Sequence, residues 1–225
     1  MRGAVVDWID TCAPAAAGAT RVEVVERRAL SAMFEVRIHG RGGQGVVTAA
    51  ELLSLAGFEE GRHAQAFPSF GSERTGAPVV SFCRLDDHPI RTREPVSAPD
   101  ALIIQDPTLL HQVDVFGGLR SEGYVLINSV RSFDELGLSQ WVAGFRHDRL
   151  LTVPASGIAR EHVGQARPNA ALLGGLAQLT GAVSVDSVVA AIRDRFSGRL
   201  ADGNAAAARA CAAFVVRERK GLLHA

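Results

Sequence analysis

The residues of this chain best suited to chemistry are six in a row, Gly40-Arg41-Gly42-Gly43-Gln44-Gly45. Gly40, Gly42 and Gly45 fit a G-x-G-x-x-G spacing, and Gly43 removes one more side chain from the path of the backbone. Glycines at this spacing let main-chain N–H groups close on an anion, provided that a strand leads in and a helix leads out. Both conditions are met by pattern: Phe34 to Ile38 reads as a short strand, and Val46 to Leu55 as a helix of small and apolar residues. The competing reading is a tight strand-to-helix turn whose glycines serve packing alone. Ligand contact is preferred, because spacing, strand and helix coincide.

A second candidate is the loop Pro68 to Gly76, which carries Ser69, Phe70, Glu73 and Arg74. Phe70 has no neighbouring apolar run to join, so it reads as closing over a ligand or filling a pocket of another subunit. Glu73 and Arg74 form either a mobile pair that meets a ligand or a solvated loop, and spacing alone favours the solvated loop. Asp106-Pro107 has the chemistry of a helix cap followed by proline at the first helical position. His39 reads as a structural histidine, and the other six show no metal-ligand spacing. No Ser-His-Asp or Cys-His set can be argued from residue order. A dinucleotide site would also need an acid near the end of the second strand, about 20 residues on. That strand ends in Phe67-Pro68-Ser69, while Glu59 and Glu60 precede it, so an ordinary NAD site is disfavoured.

Elements able to position these groups follow in order. Strands are expected at Arg62 to Phe67, Ala77 to Leu85, Ala101 to Gln105, Tyr124 to Asn128 and Leu150 to Pro154. Gly57 to Gly61 reads as a turn. Asp86 to Pro89 reads as a turn into Ile90-Arg91, making a hairpin with the preceding strand and leaving Arg91 and Arg93 on its exposed edge. Helices are expected at Thr108 to Val115, Ser156 to Val163, Asn169 to Thr180, Asp186 to Phe196 and Ala201 to Arg219, with Ser184 capping the fourth. This alternation predicts an α/β fold: an open, mostly parallel Rossmann-like sheet with flanking helices and a helical C-terminal third. Ligands gather outside the carboxyl ends of such strands. Gly40 to Gly45, Pro68 to Arg74, Asp106 to Thr108, Asn128-Ser129 and Ala155-Ser156 would then surround one crevice.

Composition narrows the function classes. Basic and acidic residues balance at 24 each, aromatics make up 6%, and no basic stripe suggests nucleic acid. Hydrophobic residues, at 47%, suffice for one large core. Cys12, Cys83 and Cys211 are far apart, with no C-x-x-C pair for a self-contained cluster or zinc site, and a reducing, cytoplasmic setting fits them. No apolar run has membrane-spanning length, and Asp7 and Asp10 interrupt the only stretch resembling a signal peptide. Residues 1–32 read as a flexible N-terminal extension, and 33–225 as one domain.

Several segments, taken in order, resemble a known family: GRGGQGVVTAAELL from Gly40, QAFPSFGSERTGAPVVSF from Gln65, HPIR from His88, QDPTLL from Gln105 and PNAALLGG from Pro168. Together they are similar to the gamma subunit of pyruvate:ferredoxin and related 2-oxoacid:acceptor oxidoreductases, over about Met33 to Arg219. The resemblance implies a complex that oxidatively decarboxylates a 2-oxoacid, most simply pyruvate, to an acyl-coenzyme A. It implies alpha, beta and delta partners carrying thiamine diphosphate, magnesium and iron–sulfur clusters, with ferredoxin or a similar acceptor taking the electrons. This chain would cover the active site and share the coenzyme A site. Gly40, Gly42, Gly43, Gln44 and Gly45 would face a phosphate, and Ser69, Phe70, Glu73 and Arg74 the route of the thiol. The loop departs from the family pattern at Ser72, where proline is usual, and at Thr75, where arginine is usual. Two alternatives compete with this reading: a stand-alone nucleotide-binding or regulatory module, and an indolepyruvate-type subunit. The Pro68-Ser69-Phe70-Gly71 segment favours the pyruvate type over the latter.

Overall fold

The computed structural model describes residues 33–69 and 75–223. The extension 1–32 and the loop residues Phe70, Glu73 and Arg74 lie outside the described residues.

Six strands form one sheet: β1 (Phe34–Arg41), β2 (His63–Pro68), β3 (Pro78–Asp86), β4 (Ala101–Ile104), β5 (Tyr124–Asn128) and β6 (Leu150–Val153). Their order is β2-β3-β1-β4-β5-β6, and β3 alone runs against the rest. The helices are α1 (Val46–Glu59), α2 (Ser139–Val142), α3 (Ala155–Val163), α4 (Asn169–Thr180), α5 (Val185–Arg195) and α6 (Gly198–Leu223). The α/β reading therefore holds. So do the Ser184 cap, whose side chain accepts from the Ser187 amide, and the placement of α4 at Asn169–Thr180.

Alternation along β1 sorts the two faces of the sheet, since neighbouring side chains on a strand point opposite ways. Phe34, Val36 and Ile38 join one apolar core with Cys83, Leu85, Ile103, Leu126 and the buried faces of α1, α3, α4, α5 and α6. On the opposite face, Leu102, Ile104, Val125, Ile127 and Leu150 pack under loops and the short α2, where Phe116 stacks on Trp141 at 3.9 Å. Chain direction accounts for this asymmetry. From β1 to β2 the chain steps one way across the sheet, and from β4 to β6 it steps the other way. Crossovers between parallel strands are right-handed, so opposite steps put their connections on opposite faces. That reversal also creates a switch point between the carboxyl ends of β1 and β4, where ligands of open α/β sheets settle.

Four expectations are corrected. Strand β1 runs on through Gly40 and Arg41, because these pair with Val79 and Pro78. Gly57 lies inside α1 rather than in a turn; a Cβ there would come 2.6 Å from Leu85 Cδ2, so this glycine lets the helix lie close on β3. The helix expected at Thr108 to Val115 is a single 3-10 turn, Pro107–His111. The hairpin of β3 with Ile90-Arg91 does not form: both edges of β3 are taken by β1 and β2, which leaves Ile90, Arg91 and Arg93 outside any strand.

Candidate functional site: a glycine turn between two cavities

The glycines of the turn play unlike parts. Gly40 stands on the helix-facing row of β1, where a Cβ would lie 2.6 Å from Val46 Cγ2 and 3.2 Å from Gln105 Cβ. Its role is close packing of α1 and β4, the plainer of the two sequence readings. Gly43 and Gly45 have φ of 92° and 75°, a region that side-chain-bearing residues rarely adopt. Gly45 also meets α4, since a Cβ on it would come 2.5 Å from Asn169 Nδ2. Gly42 knits the turn to the chain after the 70–74 loop: its N–H donates to Ala77 O at 2.9 Å, and its carbonyl accepts from Gly76 N at 3.1 Å.

The remaining amides are less engaged. Gln44 N donates to Arg41 O, but no acceptor among the described residues faces the amides of Gly43 or Gly45. Helix α1 begins with no side-chain cap and no acid in its first turn. Its first amides lack an intrahelical acceptor by geometry and carry the positive end of the helix dipole.

A clasp holds the turn in place. Gln44 donates from Nε2 to Asp106 Oδ2 at 2.8 Å, and its Oε1 accepts from Arg41 N at 2.8 Å. The Arg41 guanidinium pairs with Asp106 at 3.2 Å and donates to Thr108 Oγ1, Gln112 Oε1 and Gly76 O. Asp106 is also the cap the sequence suggested, accepting from Thr108 N at 3.0 Å. Partial burial pushes its carboxyl group upward, but hydrogen bonds from Thr108 and Gln44, with Arg41 beside it, outweigh that and hold it below the ordinary carboxylate range. Asp106 is thus a fixed anion that positions the turn.

Two cavities flank this turn. The first, of about 430 Å³, is bounded by Gly42, Gly43, Gly45 and the first turn of α1, by Gln165, Arg167 and Asn169 before and at the start of α4, and by Arg195, Phe196 and Asn204. No acid lines it. Arg167 and Arg195 are exposed and have no ion-pair partner among the described residues, and the Arg195 guanidinium lies 5.7 Å from the centre of the Phe196 ring. With the uncapped helix start, they make a surface suited to phosphate. The second, of about 400 Å³, opens at the carboxyl ends of β4, β5 and β6 and is lined by Gln44, Gln105, Asp106, Asn128, Ser129 and Ser156 among others.

The structure thus gathers Gly42, Gly43 and Gly45 around the first cavity, while Gln44 is spent on the clasp and faces the second. Ser69 is exposed at the end of β2, two strands from β1, and lines neither cavity. His39 is buried and its Nε2 accepts from Arg37 Nε at 3.0 Å, which places the ring proton on Nδ1. Burial, with the Arg37 charge, lowers its pKa to about 4. It is structural and neutral, although its Nδ1 has no partner among the described residues. Sequence reasoning missed Arg167, Asn169, Arg195 and Asn204. The Pro168-Asn169 pair was visible as part of a motif, but only the packing of α4 on Gly45 shows what it borders.

Fold and site together define an open α/β module with a cationic cavity at a glycine-turn helix start. The chain belongs to the pyruvate ferredoxin/flavodoxin oxidoreductase family, whose model matches residues 35–214. It is 46% identical over 177 residues to pyruvate synthase subunit PorC of Methanothermobacter marburgensis, covering 79% of this chain and 94% of that protein. With the common gamma subunit of the pyruvate/ketoisovalerate oxidoreductases of Pyrococcus furiosus the identity is 48%, at the same coverage. The crystal structure of pyruvate oxidoreductase subunit PORC from Thermotoga maritima superposes with a TM-score of 0.68 at 32% identity, over 80% of this chain and 96% of that one. The chain is accordingly a gamma-type subunit of such an oxidoreductase.

Proposed function

We propose that this chain completes the coenzyme A site of a pyruvate- or related 2-oxoacid:ferredoxin oxidoreductase and covers its active site. The carrying observation is the cavity at the start of α1, which no acid lines among the described residues and which Gly43 and Gly45, their amides without a partner among those residues, share with Arg167 and Arg195. The phosphates of coenzyme A match that surface in charge and in their need for several donors. Phe196, beneath Arg195, offers a flat apolar wall for the adenine. A fold relative at 16% identity, the 2-oxoglutarate:ferredoxin oxidoreductase of Magnetococcus marinus, has been solved with coenzyme A and succinyl-CoA bound (TM-score 0.61).

Thiamine diphosphate with magnesium, and iron–sulfur clusters, on alpha, beta and delta partner chains would supply the decarboxylation chemistry and the electron path to ferredoxin. Among the described residues no group of three or more His, Cys, Asp or Glu is placed to hold a metal ion. What this chain does is bind, orient and exclude water. Ser69, Phe70, Glu73 and Arg74 are assigned to the thiol's route on the family resemblance. A reducing cytoplasm suits Cys83 and Cys211, which are free and buried, the latter with its pKa raised to about 12 by burial. Among the described residues no helix is long and apolar enough to cross a membrane.

The test is kinetic and uses the assembled complex. Replacing Arg167 and Arg195 together by Ala should raise the KM for coenzyme A by about tenfold or more, the loss expected for one to two charge-assisted hydrogen bonds. The coenzyme A-independent half-reaction, 2-oxoacid-dependent reduction of the complex, should keep its rate. Equal loss in both steps would show that the arginines serve assembly, and the proposal would fall.

A further inference from the structure

Among the described residues, every charged side chain on the first cavity is an arginine, and arginines hold phosphates without telling one phosphate-bearing ligand from another. Discrimination falls to the neutral polar groups of the wall. Two of these, Asn169 and Asn204, line the cavity although each is only 7% exposed. A carboxamide oxygen accepts a hydrogen bond without setting a full negative charge against bound phosphate, as a carboxylate in its place would do.

The two asparagines are not equivalent. Asn169 leans on the glycine turn, its Nδ2 donating to Gly45 O at 3.5 Å. Asn204, in the second turn of α6, donates from Nδ2 to Leu200 O at 2.8 Å. Only the NH2 end of a carboxamide can donate to a carbonyl, so this bond fixes which way the group is turned. Asn204 Oδ1 has no partner among the described residues, and it is not sealed off in the interior. The helix that carries it has little room to shift. A Cβ on Gly203 would come 2.6 Å from His162 O of α3, and Gly174 of α4 lies against the Ala208 backbone with no space for a side chain. An unused acceptor is therefore held on a rigid stretch of the wall.

Its neighbours on the α5–α6 stretch of the lining are Phe196 and Leu200. An aromatic ring, an aliphatic side chain and one acceptor suit a flat heterocycle with an N–H donor on its rim. Given the coenzyme A reading, on which this rests, we infer that Asn204 is a specificity-determining residue whose Oδ1 accepts from the exocyclic amine of the adenine. The phosphates go to the amides and arginines, and Asn204 selects the base. A base with a carbonyl in place of the amine would set two acceptors face to face and leave both unbonded.

The assembled complex tests this with two acyl acceptors, coenzyme A and its deaminated analogue, in which hypoxanthine replaces adenine. The wild-type complex should prefer coenzyme A in kcat/KM by about tenfold, the scale of one hydrogen bond lost against an unpaired acceptor. Asn204→Ala should lower kcat/KM for coenzyme A by about tenfold and leave the analogue within about twofold, so that the preference disappears. Asn204→Asp keeps the acceptor and should keep the preference, while its added charge raises KM for both acceptors. The Arg167 and Arg195 double variant should raise both KM values alike. If it does so while the wild type uses both acceptors equally, the coenzyme A reading stands and the role of Asn204 falls. Equal losses for both acceptors in Asn204→Ala would likewise overturn it, since a residue serving only the fold cannot tell the two apart.

Discussion

The two faces of β1 do different work with the same eight residues. Facing the helices, Phe34, Val36 and Ile38 are buried without polar contacts and end at Gly40, which admits α1. Facing the loops, Glu35, Arg37, His39 and Arg41 are all ionisable, and each is tied to something specific. Glu35 accepts from Arg84 at 2.8 Å. Arg37 donates to the carbonyls of Val96, Val115 and Gly117 and to His39, and Arg41 binds Asp106, Thr108, Gln112 and Gly76. Burial of the apolar row is non-directional and holds the layers together. The ionic row is directional: it fixes where the loops of the opposite face sit, and its last member fixes the glycine turn. Stability and site geometry are thus separable along one strand.

The sharpest way to break that separation is to empty the apolar row. Ile38→Ala removes a fully buried side chain and should cost about 4 kcal/mol, read from urea unfolding of the isolated chain. The KM for coenzyme A of complexes that still assemble should not move. A parallel rise in KM would mean the two rows act as one.

Next in size is the pH dependence set by the ionic row. The pKa of His39 falls from 6.5 to about 4 on folding, because burial and Arg37 disfavour its protonated form. The unfolded chain therefore binds the extra proton between these values. Stability should be fully present above about pH 6.5 and decline by about 3 kcal/mol as pH falls to about 4. Denaturation midpoints measured across that window should show the slope. His39→Gln, which keeps an acceptor for Arg37 but cannot titrate, should remove most of it. An unchanged slope in the variant would assign the pH dependence to other groups.

The smallest effect on stability should come from Arg41→Ala. Its ion pair with Asp106 is partly exposed, so the loss should be about 1 kcal/mol. Yet it frees Asp106 and loosens the turn, so the KM for coenzyme A should rise several-fold while the unfolding midpoint shifts far less than in Ile38→Ala. A large loss of stability with unchanged KM would reverse the roles assigned to the two rows.

Much of this division was written in residue order. The alternation of β1, the buried run of β4, the Ser184 and Asp106 caps and the extent of α4 depend on neighbours within a few positions, where periodicity and capping chemistry act. The end of β1 is not legible in this way, because Gly40 and Arg41 have weak strand preference and only pairing with Val79 and Pro78 extends the strand. Ile90-Arg91 failed as a strand for the converse reason: local pattern allowed it, but β3 had no free edge.

By itself the sequence determined the fold class, the glycine turn and the family, since each rests on local spacing or on motifs in order. Tertiary structure alone decided that Gly45 abuts Asn169, that Arg167 and Arg195 line one cavity with the start of α1, and that Gln44 turns away to Asp106. These residues lie as many as 150 positions apart (Arg195 against Gly45). No pattern of neighbours encodes such distances, because they follow from which faces the chain must bury and from the handedness of its crossovers.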